Sequence, residues 1–430
     1  MMTPAWPDPT KKTTETNMKK SALMSLGGAL VLASLPAAAQ FEYHGYYRAG
    51  VGVNSAGGDQ VCFSMPGAAT DMRLGNECDY SYEFTFQKKF NTDQDGPKWD
   101  ATVMLGGYEI FPNHNLDVGV LQMFVSGTDL GDGVLKGATV WAGKRYYERV
   151  QMDVNDLFLL RADGDGFGVE GLDVGVGRAG YAMMYRSRGD NNTGTLDHLF
   201  KLTDIQSNPD GNLSLYLSLK LDTSSDKKDQ SGNVVTAANE IEDGWQFSVI
   251  HRQQFDKVSN LLGLQYGKGS LSDLNLWSDG SGKAKDSKIV RLADEAGISL
   301  NDQTRLSVLG LYQRTDDGSG NTTTWYELGL RPTYTFNDIA SVSWDVGYDI
   351  LKPKGSDTRK LLKNTLALEL RNGGNAVPRI RFFYTFAKWN DAVNQASANG
   401  PVFGWASGTT NPFAGETSGS SFGAQGEVWF

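Results

Sequence analysis

From Phe41 onward the chain alternates apolar and polar residues in runs of about ten, the length a tilted membrane strand needs. In the first run Phe41, Tyr43, Tyr47, Ala49, Val51 and Val53 fall on odd positions, and Glu42, His44, Tyr46, Arg48 and Asn54 on even ones. Successive side chains of a strand point to opposite faces, so this run makes one apolar face and one polar face. The pattern returns at 80–87, 213–222, 325–336, 340–349, 365–371 and 380–387. It closes the chain as well: Phe422, Ala424, Gly426, Val428 and Phe430 oppose Gly423, Gln425, Glu427 and Trp429.

Two architectures produce such alternation. A soluble sandwich buries its apolar faces in a core, whereas a transmembrane barrel turns them to lipid and keeps a polar lumen. The polar face decides for the barrel, because it carries large charged residues mixed with aromatics, as the wall of an aqueous channel would. Short turns such as Phe336-Asn337-Asp338 alternate with long Gly/Asn/Asp loops, which predicts two unequal rims. A last strand ending in Phe resembles the C-terminal signature of bacterial outer-membrane proteins.

The segment ahead of the strands fits that destination. Lys19 and Lys20 precede an apolar run from Ala22 to Leu35, and Pro36-Ala37-Ala38-Ala39 offers a small-residue cleavage site. This is the pattern of a secretory signal, cut after Ala39, with residues 1–17 a polar extension ahead of Met18. The expected division is residues 1–39 as extension plus signal and 40–430 as one barrel domain. No linker, charge block or proline-rich hinge divides the latter. The formal charge of −10 argues against a nucleic-acid partner. The four histidines, His44, His114, His198 and His251, have no metal-site spacing, and no Ser/His/acid arrangement suggests catalysis. No metal, cofactor or enzymatic activity is therefore expected. In an exported chain Cys62 and Cys78 are expected to form one disulfide closing a short loop.

Several stretches resemble the maltoporin (sugar porin) family: His44-Gly45-Tyr46-Tyr47-Arg48-Ala49-Gly50, Arg73-Leu74-Gly75-Asn76-Glu77-Cys78, Trp141-Ala142-Gly143-Lys144-Arg145-Tyr146-Tyr147-Glu148-Arg149, Ala387-Lys388-Trp389, and the final nine residues from Phe422. The resemblance runs through the whole exported part of the chain, in order. It implies an all-β fold, an 18-stranded antiparallel transmembrane β-barrel with an inward-folded third loop. It also implies a homotrimer in the bacterial outer membrane, surrounded by lipid and lipopolysaccharide, and passive diffusion of sugars. On the family's pattern Tyr46 matches the first ring of an aromatic path and Trp429 the last, and Phe158 matches the ring at the constriction. Trp277, in a long loop, aligns loosely with a further ring. The accompanying polar track carries over to Arg48, Arg73, Glu83, Arg149 and Asp156, with Arg161 beside it. A sugar's C–H face packs on a ring while its hydroxyls exchange hydrogen bonds with the charged groups alongside. Each contact must also be weak enough to release.

The chain departs from that pattern in ways that bear on substrate. Ser81 stands where the family has a second ring and Asn375 where it has a tryptophan. Gln151 replaces an acidic residue, Arg161 lies where an acid is expected, and the second loop has Phe111 but no tryptophan. A shortened path predicts weak binding and a preference for short sugars over long glucans. Arg48, Arg73, Arg149 and Arg161 outnumber Glu83 and Asp156, which predicts a locally positive field. The alternative reading is a general or ion-selective porin, which shares barrel and charges but needs no rings. A secreted carbohydrate-binding sandwich is the rival from another class, and it would partition as soluble protein.

Overall fold

The computed structural model describes residues 41–90, 96–110, 117–188, 193–371, 378–397, 400–403 and 411–430. The export signal read at 19–39, the extension before it, Phe111, His114 and Asn375 lie outside the described residues.

Eighteen strands form one antiparallel sheet that closes on itself. In chain order they are β1 Phe41–Asn54, β2 Asp79–Phe90, β3 Lys98–Ile110, β4 Gly119–Thr128, β5 Thr139–Gln151, β6 Phe158–Asp173, β7 Arg178–Arg188, β8 Thr193–Asn208 and β9 Gly211–Asp222. Then follow β10 Gly244–Gln254, β11 Val258–Gly269, β12 Lys288–Ser299, β13 Thr304–Asp316, β14 Thr322–Thr335, β15 Ala340–Pro353, β16 Arg359–Arg371, β17 Arg379–Trp389 and β18 Ser418–Trp429. Each strand pairs with its chain neighbours, and β1 closes the ring against β18, with Tyr46 opposite Trp429 and Asn54 opposite Ser421. Closure removes the unpaired edges that lipid could not satisfy.

The alternation reads correctly onto the two surfaces. Outward positions are solvent-open and apolar: Val51 is 70 % exposed, and Tyr47, Leu328, Trp344, Leu366 and Phe382 are likewise exposed. Their inward neighbours Arg48, Glu327, Asp345, Thr365 and Arg381 are buried. One rim carries the long connections 55–78, 223–243, 270–287 and 390–417, and the other carries short ones such as 174–177, 209–210 and 336–339. A short helix, α1 Asp391–Ala396, follows β17.

A hairpin and the first long loop leave the wall and enter the lumen. β5 pairs with β4 through Thr139–Lys144, and β6 pairs with β7 from Asp165 onward. Between these points 145–151 and 158–164 pair with each other, a hairpin released from the sheet on both sides among the described residues. Its tip crosses to the far wall. There the Val154 N–H donates to Glu295 (3.0 Å), Asn155 Nδ2 to Glu327 (2.7 Å), and Arg331 Nη2 to the Val154 carbonyl (2.8 Å). This is the inward fold expected of the third loop.

The first long loop, 55–78, also folds in. The Cys62–Cys78 disulfide closes it, Phe63 packs between Trp389 and Phe413, and Lys363 Nζ holds Asp71 at 3.0 Å.

Besides these polar anchors, both segments seat on apolar inward side chains. Met152, Val154, Leu157, Leu159 and Leu160 of the hairpin cluster with the inward-facing Ile250, Ala293, Leu309, Leu311, Trp325 and Leu351. Each fully buried Val, Leu, Ile or Met among them contributes about 1.5–3 kcal/mol by leaving water. Two close approaches require missing side chains. A Cβ on Gly263 would meet Leu159 at 2.7 Å, and one on Gly329 would meet Met72 at 2.8 Å.

Candidate functional site

With the hairpin fixed to the β10–β15 side, the polar passage runs along β17, β18, β1, β2 and β3. Along β1 the inward residues Tyr46 and Arg48 sit two apart and so on one face. Across the closure Tyr46 is registered with Trp429 and Arg48 with Glu427. On the other side Tyr46 is registered with Glu83 and Arg48 with Ser81. The Tyr46 and Trp429 rings lie 4.9 Å apart between centroids, tilted by 35°. The Arg379 guanidinium stands 5.0 Å from the Trp429 ring. Tyr46 Oη donates to Glu427 (3.2 Å) and accepts from Arg48 Nη1 (3.1 Å).

Charges continue upward from this ring pair. Arg48 grips Asp79 with two bonds, Nε and Nη2 each at 2.8 Å. Arg48 and Arg73 both face Glu77, at 3.7 and 3.6 Å, and Arg73 also contacts Asp156 at the hairpin tip. Burial alone would raise the Glu77 carboxyl, but the guanidiniums of Arg48, Arg73 and Arg381 and a bond from Gln425 outweigh it. They pull its pKa down to about 2. Asp156 holds a left-handed backbone (φ 61°), a conformation that Asp tolerates better than most side chains.

A second branch descends from Glu83. Arg149 lies 3.7 Å from Glu83 and is fixed by Asp163 at 2.9 and 2.6 Å. Asp163 also accepts from Arg161 at 2.7 Å. The Arg161 guanidinium sits 5.2 Å from the Phe158 ring and 4.7 Å from that of Trp277, and Arg149 sits 3.3 Å from the Tyr146 ring.

The ten residues expected from the sequence, Tyr46, Arg48, Arg73, Glu83, Arg149, Asp156, Phe158, Arg161, Trp277 and Trp429, thus form one connected set. The structure adds Glu77, Asp79, Asp163, Glu427 and Tyr146. Glu427 was visible as a polar-face position. Asp79 and Asp163 carry no motif, and only their contacts reveal them. They change the charge balance. Each of the four arginines has a carboxylate within 4.0 Å. The positive field expected from counting arginines is therefore offset by acids that the count left out.

A closed barrel with an apolar outer belt and a narrowed, charged interior conducts polar solutes through a membrane, and this molecule is an outer-membrane porin. Comparison with known families sharpens that. Residues 41–430 match the LamB porin family, and the chain belongs to it. Solved structures similar to it include opdK of Pseudomonas aeruginosa (9 % identity, 91 % of this chain and 99 % of that chain, TM-score 0.48). The anion-selective porin from Comamonas acidovorans is similar at 12 % identity, over 91 % of this chain and all of that one, TM-score 0.46. So is the trimer form of OmpT from Vibrio cholerae, at 10 % identity over 91 % of this chain and all of that one, TM-score 0.41. These likenesses are too distant to bear on what this channel conducts.

Proposed function

We propose that this porin passes sugars down their gradient, using Tyr46, Phe158 and Trp429 as successive stacking faces and Trp277 as a flanking ring. Arg48, Arg73, Glu83, Arg149 and Asp156 take the hydroxyls, with Arg161 beside them. The observation that carries the reading is the Tyr46–Trp429 ring pair, set in the polar lumen rather than in the lipid belt and hemmed by Arg48, Glu427 and Arg379. A solute meeting that pair finds an apolar plate with donors and acceptors on three sides. This suits a pyranose and offers little to a bare ion. Paired arginines give up and regain hydrogen bonds without exposing a lone charge, so a neutral polyol suits the track better than an anion. The acting form is taken to be a homotrimer in the lipid and lipopolysaccharide of the outer membrane, and short sugars are the favoured cargo.

Current block in planar bilayers tests the proposal directly. Mono-, di- and trisaccharides are expected to interrupt the ion current of the parent channel at millimolar concentration, about 4 kcal/mol of binding. If none of them does, the channel is a general porin on a sugar-porin frame.

A further inference from the structure

Ser81 leaves a gap in the aromatic path, and the neighbouring strand stands across it. In the row of inward residues that contains Arg48, the register runs Glu427, Arg48, Ser81 and Tyr108. The row below runs Trp429, Tyr46, Glu83 and Gly106. Tyr108 therefore sits two residues, about 7 Å, nearer the long-loop rim than the ring pair. It is 54 % exposed. The inward rings Trp325 and Phe383, by contrast, are buried under the hairpin or the first long loop. Tyr108 instead faces an open cavity of about 380 Å³ lined by the first long loop, the hairpin and the 270–287 loop. Phe158, Arg73, Asp79, Asp156 and Arg291 line the same cavity. Arg291 is buried and fixed by Gln313 (2.8 Å) and Gln265 (3.3 Å). An apolar plate left in water inside a polar cavity, with guanidiniums and carboxylates around it, repeats the chemistry of the Tyr46–Trp429 pair one row higher.

We infer that Tyr108 supplies the ring that Ser81 lacks, and that this cavity is the outermost sugar-binding subsite, where one sugar unit rests against Tyr108 and Phe158 before reaching Tyr46. The small side chain of Ser81 is what leaves the Arg48 guanidinium and the Tyr108 ring room to share the row. The inference rests on the sugar-channel reading above and specifies where a sugar first binds.

Block by maltose, maltotriose and sucrose, added separately from each side of a bilayer, tests it in the full-length channel. Tyr108→Ala is expected to weaken block five- to tenfold, and mainly by slowing arrival from the long-loop side. Tyr108→Phe is expected to keep it, since the ring face remains. Moving the ring across the row, Tyr108→Ser with Ser81→Tyr, is expected to restore block. A swap as weak as Tyr108→Ala would assign the loss to loop packing and overturn the subsite. Block by Tyr108→Ala equal to the parent, alongside weakened block by Trp429→Ala, would overturn it and leave the sugar channel standing. A parent channel that none of the three sugars blocks would remove both.

Discussion

Along β17, β18, β1 and β2 the inward face carries Arg381, Glu427, Tyr46, Arg48 and Glu83, while along β10 to β15 it carries Ile250, Ala293, Leu309, Leu311 and Trp325. Both arcs obey the same alternation, and both turn large apolar residues outward. The first arc leaves the Tyr46 and Trp429 rings partly open, while most of its charges are held in buried pairs. The second meets the hairpin and the first long loop, and its inner face is buried, its apolar side chains interleaved with paired polar ones such as Glu327 and Arg291. Alternation says which side chains face inward. What occupies the inside decides whether those side chains serve a channel or an anchor. In this barrel one arc seats the hairpin, and the Tyr46–Trp429 ring pair with its charges stands on the opposite arc.

The largest expected effect lies on the open arc. Arg48→Ala leaves Asp79 and Glu77 buried without their chief partner. Removing one member of a buried pair costs about 3–5 kcal/mol. The folded, heat-modifiable band on unboiled gels is expected to weaken and to vanish at lower urea than in the parent. The counterpart on the anchored arc is Leu159→Ala, which empties a fully buried site against Gly263. A loss of about 2–5 kcal/mol falls on the hairpin's seat rather than on the barrel. Single-channel conductance is expected to rise and become noisy while the folded band persists. If conductance keeps its parent value and noise, the hairpin is not held by that core.

Tyr47→Arg tests the outer surface that both arcs share. A cation on the lipid face costs about 2–4 kcal/mol at the midplane, so insertion yield is expected to fall. Parent-like insertion would contradict the facing of β1.

The pH dependence is smaller. The folded Glu77 carboxyl titrates at about 2, below its usual value of 4.5. Its contribution to seating the first long loop is thus complete above pH 4.5 and is lost as pH falls toward 2. Conductance of the parent is expected to hold from pH 7 to 4.5 and to drift below, and Glu77→Gln is expected to lose that drift.

Much of the barrel was legible because lipid and lumen impose a period of two that loops cannot mimic. Tyr46 and Trp429 could be placed inside from their parity alone, before their registry across the closure was known. The anchor was not legible. Trp325 and Glu327 stand on the same polar-reading face as Asp345, and no local signal says that a hairpin whose Asn155 is 172 residues from Glu327 covers them. The carboxylates Asp79 and Asp163 escaped for a similar reason: an ion pair is a fact of registry and loop path, not of motif. Tyr108 needed the cross-strand partner of Ser81, which only the assembled sheet supplies.

The comparison between the arcs is tested most directly by sugar block in two single-ring variants. Trp429→Ala removes a plate from the open arc and is expected to weaken block about tenfold, equivalent to about 1.4 kcal/mol. Trp325→Phe keeps a ring at a site that is 1 % exposed in the anchored arc while removing its bond to Asp349, and is expected to weaken block less than Trp429→Ala. Equal loss in both variants, or no loss in Trp429→Ala, would contradict the division of the lumen into a conducting arc and an anchoring one.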